Sequence, residues 1–428
     1  MGVQHYSAKG GKSVKRLWFL GLFVFVLLGM VGLAGAKTEI VYWSHTYDPA
    51  VSLTKEMIAE FEKQNPDIQI TYDHVPHASF EPKLLTAFAG GTGPDVYWMG
   101  DWVMPKWMPS LTEPVDYTVW GVNSYEEFAQ LYEPGALDAF TQDGVIYTGG
   151  ISEYNTFSLY YNPQHFREAG IPLPSATVPL TWEEMAEIAA KLTKFDEKGG
   201  RVRSGFETVY GVPIWTILLL EPQIRQLGGE LLDETGKPRL NHEKVVEAMK
   251  WWHKMRVEYK ATDPGFQSPD LWADFAQGRV SMTIAGPWAI SIIRSYNPDM
   301  EIGITPLPHF QGSDRVTTLY AWAWFVNPAS KNKKEAWRFV HYLTSDPLRW
   351  WERVKYIQPK KGVLQKLLEG EPLLTTFLED FKYAQYEFRS PNYYEISSIL
   401  TRAFQQVVME GIEPQEVLNK AQEEAEKL

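Results

Sequence analysis

The sequence predicts an α/β protein of two lobes. Three observations carry that prediction. Over residues 38–98, short apolar runs alternate with helical spacing in the order strand–helix–strand–helix–strand, the signature of a sheet of parallel strands covered by helices. The chain has 428 residues, enough for two large cores. No low-complexity linker or fixed-period repeat divides it, so the lobes are expected to share several chain crossings.

Residues 38–43 (TEIVYW) form a short β-rich run. A helix follows over 51–64, with Val51, Met57, Ile58 and Phe61 on its apolar side, and Asn65-Pro66-Asp67 stops it. Residues 68–72 alternate like a strand, 80–89 are helical, 90–94 are a turn and 95–98 a strand. Further on, 157–161 is a strand leading into Asn162-Pro163. Thr181 caps a helix over 181–192, with Glu184 three residues later completing a capping box. Residues 245–259 form a long amphipathic helix and 281–285 a short strand. The tail from 393 to 427 is helical, with breaks at Gly411 and Pro414.

Residues 1–36 read as an export leader: Lys9, Lys12, Lys15 and Arg16 precede an uncharged stretch over 17–36 that ends in Ala34-Gly35-Ala36. Cleavage after Ala36 is expected; an uncleaved anchor is the competing reading, since 20 apolar residues just span a bilayer. Removing four basic residues and no acidic one takes the net charge from −12 to −16, which repels nucleic acid and anionic membrane surfaces. The absence of cysteine leaves neither a lipid-attachment thiol nor a disulfide, so the protein is expected free in a periplasm-like space.

The chain carries 17 Trp, 22 Tyr and 21 Phe. Several tryptophans end apolar runs beside polar or turn residues: Trp43-Ser44-His45, Trp98-Met99-Gly100-Asp101-Trp102, Gly286-Pro287-Trp288 and Tyr320-Ala321-Trp322. A flat apolar ring beside a carboxylate or amide suits a sugar, whose C–H face it covers while the polar neighbour bonds hydroxyls. In α/β sheets ligands gather beyond the carboxyl ends of strands, where Trp98, Trp288 and Trp322 fall. By contrast Trp182, Trp251 and Trp252 lie on predicted helices and are expected to pack.

Other chemistries find little support. Gly90-Gly91-Thr92-Gly93-Pro94-Asp95 lacks the spacing of a nucleotide loop and precedes a strand instead of opening a helix. His242-Glu243 lacks the second histidine of a zinc-protease helix, and His74 and His77 flank Pro76 without a third ligand, so no metal or cofactor is expected. No G-x-S-x-G elbow occurs.

Ordered along the chain are Ile40-Val41-Tyr42-Trp43, Phe61-Glu62-Lys63, Gly93-Pro94-Asp95-Val96, Leu159-Tyr160-Tyr161-Asn162-Pro163, Thr181-Trp182-Glu183-Glu184, Gly228-Gly229, Phe275-Ala276-Gln277-Gly278-Arg279 with Gly286-Pro287-Trp288, and Val326-Asn327-Pro328-Ala329. In that order they resemble the extracellular solute-binding proteins of ABC importers, in the group of maltose-binding protein. The resemblance covers essentially all of the chain after the leader. It implies a type II periplasmic binding protein fold, with a ligand cleft between lobes joined by three crossings, near 151–158, 310–318 and 356–360. The first lobe would comprise residues 37–151 and 318–355, the second 152–317 and 356–428. It implies a ligand site drawing on Trp43, His45, Asp48, Trp98, Asp101, Trp102, Glu153, Asn155, Trp215, Trp288, Trp322 and Tyr393, with the intact Gly-Pro-Trp motif as the strongest transfer. It also implies a monomer that closes around a small-molecule carbohydrate, an oligosaccharide by the number of indoles, and delivers it to an ABC permease in the membrane.

Two other functions compete with that expectation. An anionic solute, a uronate or sugar phosphate, would find countercharge in Lys360, Lys361 and Arg389. A secreted glycoside hydrolase would need a carboxylate pair, and none is singled out.

Overall fold

Two parallel strands set the first sheet of the protein, whose computed structural model describes residues 1–3, 37–368 and 371–428. The predicted leader lies outside the described residues beyond its third position. Strand β1 (Thr38–His45) pairs with β2 (Ile68–Val75) along its whole length. Helix α1 (Asp48–Gln64) connects them and buries Val51, Leu53, Met57 and Phe61, a stripe at helical spacing. Asn65 ends it as expected: its backbone N–H and its side-chain amide both donate to the Phe61 carbonyl, each at 2.8 Å. After α2 (His77–Ala89), the fully buried β3 (Val96–Gly100) completes the unit read from the sequence.

The chain returns as β4 (Gly150–Asn155) and crosses through Thr156 and Phe157 into β5 (Ser158–Tyr161). Helix α3 (Trp182–Leu192) has the predicted capping box, with Thr181 Oγ1 accepting from the Glu184 N–H and Glu184 accepting from the Thr181 N–H. Helices α4 (Pro213–Gln226) and α5 (Glu243–Val257) follow. The Trp182 and Trp252 indoles donate to Gln226 and Gln223 in this core, so these two are packing residues, as expected. Next come β6 (Met282–Ala285), α6 (Ala289–Tyr296), β7 (Gly303–Thr305) and the ten-residue β8 (Thr317–Val326). Helices α7 (Lys333–Leu343), α8 (Pro347–Val354) and α9 (Leu374–Phe381), strand β9 (Ala384–Tyr386), and helices α10 (Tyr393–Gln405) and α11 (Pro414–Ala425) complete the chain.

The first sheet has the order β9-β8-β3-β1-β2, with β4 on the other side of β8. The expected parallel sheet is therefore mixed: β8 runs antiparallel to both β3 and β4, placing Trp324 opposite Trp98 and Gly150. The reason is topological. Strand β8 enters from the second sheet, opposite in direction to the strands of the opening α/β unit. All ten of its residues are buried, as befits a strand covered on both faces. The second sheet, β6-β5-β7, is antiparallel throughout. The carboxyl ends of β1 and β3, the crossing after β4 and the start of α6 converge between the two sheets.

Candidate ligand-binding cleft

Between the sheets lies a cavity of about 300 Å³. One wall comes from the first sheet: His45 ends β1, Trp102 follows β3, and Trp322 lies on β8. The facing wall comes from the helices of the second: Trp215 on α4, Trp288 at the N-cap of α6, and Trp272. Glu153, Phe157, Tyr320 and Tyr356 floor it where the chain crosses.

Two glycines make these walls possible. A Cβ on Gly100 would stand 1.9 Å from the Trp102 ring. A Cβ on Gly286 would stand 2.6 Å from both Trp288 Nε1 and the Tyr320 hydroxyl. Those two atoms need the space, because Trp288 Nε1–H donates to the Tyr320 hydroxyl at 2.6 Å. Tyr320 O–H in turn donates to Glu153 Oε1 at 3.2 Å, and Asn155 Nδ2 donates to the same oxygen. A hydrogen-bonded line thus runs from the second wall to the floor. Across the cleft, Tyr47 O–H donates to the Trp288 carbonyl at 3.3 Å.

The electrostatics of the cavity are unusual for one that holds a carboxyl group. Glu153 is 3% exposed. Burial pushes its pKa up to about 8, and the bonds from Tyr320 and Asn155 only partly offset it. It is therefore a neutral acid at pH 7. Burial, with His77 beside it, holds His45 down to about 3, so its imidazole is neutral too. Among the described residues lining the cavity none is Lys or Arg. With the acid form of Glu153 predominating and His45 neutral, the cleft is close to uncharged at neutral pH.

Of the twelve residues expected at the site, the cavity brings together His45, Trp102, Glu153, Trp215, Trp288 and Trp322. The other six lie elsewhere. Trp98 is 3% exposed, stacked beneath His45 with ring centroids 4.6 Å apart, and its indole N–H donates to Ser152 Oγ at 2.6 Å. Asp101 is fully buried, and both its oxygens are taken: Oδ1 by the Ala321 N–H and Oδ2 by Arg389, each at 2.7 Å. Asn155 is buried behind Glu153 and supports it. Trp43 lies under the Lys83 ammonium, 4.3 Å from its ring. Asp48 is exposed on the first turn of α1. Tyr393 bonds Glu387 at 2.5 Å and lines a neighbouring cavity that shares Trp102.

The residues proposed as countercharge for an anion stand apart as well. Arg389 is occupied by Asp101, Lys360 donates to the Thr344 carbonyl, and Lys361 is exposed away from the cavity. Sequence reasoning missed Tyr47, Trp272, Phe157 and Tyr356. Tyr47 had a signal, two residues after His45 on the same strand end. Tyr320 was visible as an aromatic cluster with Trp322 but was not assigned to the site. Trp272, on a short helix far from any strand end, had none.

A family model for bacterial extracellular solute-binding proteins matches residues 47–348. The chain belongs to that family. Among relatives of this solute-binding protein, a putative binding protein of Brucella abortus is 26% identical over 421 residues, spanning 95% of this chain and 96% of its own. The maltotriose-binding protein of Pyrococcus abyssi is 22% identical, spanning 82% and 74% respectively. Among solved structures, an ABC transporter solute-binding protein from Thermotoga lettingae bound with α-D-tagatose superimposes with a TM-score of 0.79 at 24% identity, covering 91% of this chain and 99% of that one. That likeness establishes the fold of this solute-binding protein as the expected pair of α/β lobes. Among the described residues no helix is long and apolar enough to cross a membrane.

Proposed function

We propose that this solute-binding protein is the extracytoplasmic receptor of an ABC importer for a neutral carbohydrate of two or more rings. The observation that carries this reading is a cleft with indoles on both walls and no Lys or Arg among the described residues that line it. Aromatic faces cover the C–H surface of a pyranose, and stacked contacts contribute ~0.5–1.5 kcal/mol each beyond the area they bury. Four such contacts with a few hydrogen bonds supply a large part of the ~8 kcal/mol that micromolar affinity needs. The names of the relatives support a sugar as ligand, among them the maltotriose-binding protein.

In this reading the lobes exchange chain near 151–158, 310–318 and 356–360, and closure about those crossings buries the ligand. The protein acts as a monomer, released from its leader after Ala36, and passes the ligand to a membrane permease. Catalysis is not part of the proposal. Hydrolysis of a glycosidic bond uses two carboxyl groups, and Glu153 is the single one among the described residues lining the cavity.

A thermal-shift screen over neutral mono-, di- and trisaccharides and uronates tests the reading. A neutral oligosaccharide at 100 times its dissociation constant should stabilise by ~2.7 kcal/mol; a response to uronates alone would sink it. The protonation of Glu153 gives a second test. Because its pKa is raised, the acid form that donates into the cleft is present below about pH 8 and is lost as pH rises through that value. Affinity should hold from pH 6 to 7 and fall above 8. Glu153→Gln, which mimics the acid, should bind within about threefold of the parent at pH 7 and show no such fall, whereas Glu153→Ala should lose about tenfold. A Gln variant crippled at pH 7 would mean that the carboxylate is the binding form.

A further inference from the structure

The wall indoles can only donate through their ring N–H, whereas His45 can offer an acceptor, and its surroundings fix which nitrogen that is. Its Nδ1 lies 3.2 Å from the Thr46 carbonyl oxygen. A carbonyl only accepts, so Nδ1 carries the proton, and in a neutral ring Nε2 is left as a bare acceptor. The ring is enclosed by aromatic neighbours from three elements. Trp98 on β3 stacks on one face at 4.6 Å and 24°, Trp322 on β8 meets it at 4.8 Å and 62°, and His77 on α2 at 4.9 Å and 83°. Phe80 of α2 stands behind at 6.5 Å. The titratable groups facing it are His77 and, across the same cavity, Glu153, Tyr47, Tyr320 and Tyr356. None of its contacts is a carboxylate that would draw a second proton onto the ring.

We infer that His45, locked as the Nδ1–H tautomer on a Trp98 backing plate, is a specificity-determining residue whose Nε2 accepts a hydroxyl hydrogen from the ligand. This rests on the carbohydrate reading above and adds to it a direction. The cleft holds an acceptor at His45, so the preferred ligand presents a hydroxyl that donates towards the first lobe's wall. A sugar derivative lacking the donating hydroxyl leaves Nε2 desolvated and unpaired, which is how a site built to bond a hydroxyl rejects its deoxy analogue. The arrangement also gives a structural role to Trp98: its indole positions the imidazole instead of meeting the ligand. The depressed basicity of the ring keeps this acceptor available through the neutral pH range.

Nitrogen-15 spectra of the histidine rings in the full chain read the tautomer directly, with His45→Gln assigning the signal. The expected result is a protonated Nδ1, an unprotonated Nε2, and no change between pH 5 and 8. An Nε2–H ring, or one that titrates near pH 6.5, overturns the inference. Binding is read with maltotriose, mannotriose and lactose as probes. His45→Phe keeps the stack on Trp98 and removes the acceptor, and should weaken binding about tenfold. His45→Gln places an amide oxygen near the position of Nε2 and should stay within about threefold of the parent. A parent that binds with His45→Phe unchanged overturns the role of His45 and leaves the carbohydrate reading standing. A parent that binds no saccharide of the panel overturns both.

Discussion

Trp288→Ala should weaken saccharide binding by at least tenfold and remove much of the ligand-induced change in tryptophan fluorescence. Three features of the residue lead to this result. Its ring is part of the second wall, held edge-on by Trp272 at 5.0 Å and by Trp215 at 5.8 Å. Its indole N–H holds the Tyr320 hydroxyl, which reaches Glu153. Its carbonyl receives Tyr47 from the opposite lobe. Truncating a tryptophan at the centre of a binding site commonly costs ~2 kcal/mol or more, and each ~1.4 kcal/mol is a factor of ten. Trp288→Phe keeps part of the wall but frees Tyr320, and should fall between the two. Gly286→Ala should move in the same direction without touching the indole itself, because its new Cβ intrudes on the Trp288–Tyr320 bond. Titration calorimetry with any saccharide that binds the parent checks the series. Unchanged affinity in Trp288→Ala would remove the second wall from the site.

The largest effect on stability is expected at Arg389. Arg389→Ala should cost ~3 kcal/mol, the lower end of the range for removing one partner of a buried ion pair, because Asp101 is fully buried while Arg389 is partly exposed. The guanidinium donates to both the carboxylate and the backbone carbonyl of Asp101, at 2.7 and 2.8 Å, and thereby ties the segment after β9 to the end of β3. Without it, a fully buried carboxylate keeps the Ala321 N–H as its remaining donor. Burial already pushes the Asp101 pKa upward against the pull of Arg389. Losing the cation raises it further, so the variant's Asp101 takes up a proton on folding. A group whose folded pKa exceeds its unfolded value stabilises at low pH and loses that contribution as pH rises. The defect should therefore be smaller at pH 5 than at pH 8, as read by urea denaturation at both. A loss below 1 kcal/mol at pH 8 would show the pair to be dispensable.

These outcomes also mark what the residue order disclosed. The α/β unit from β1 to β3 was legible because its helices carry apolar stripes and Asn65 stops α1 by a chemical signal, and α3 was legible from the capping box that opens it at Thr181. The Gly-Pro-Trp motif lies on the second wall, where the close approach of Trp288 and Tyr320 requires the glycine that marks it in the sequence. What remained hidden was the direction in which each side chain faces. Trp98 and Trp322 were both expected at strand ends, yet Trp322 lies in the middle of β8 and lines the cavity, while Trp98 is covered by His45. The sequence around Asp101 suggests a hydroxyl-binding carboxylate, but Arg389, 288 residues away, occupies it. Nothing local distinguishes a carboxylate meant for a ligand from one meant for a distant guanidinium. The same holds for Tyr356 and Trp272, which reach the cleft only through tertiary placement.

Strand β8 carries a consequence for the order of assembly. It lies between β3 and β4 in the first sheet, and its Trp324 indole donates to Tyr42, 282 residues earlier in the chain. Until residue 326 has been synthesised, β3 and β4 lack their shared neighbour, and the opening α/β unit has an uncovered edge. Pairings so distant in sequence close slowly, since the loop entropy precedes the contacts that offset it. The first sheet therefore closes late in folding, through contacts 282 residues apart in the chain.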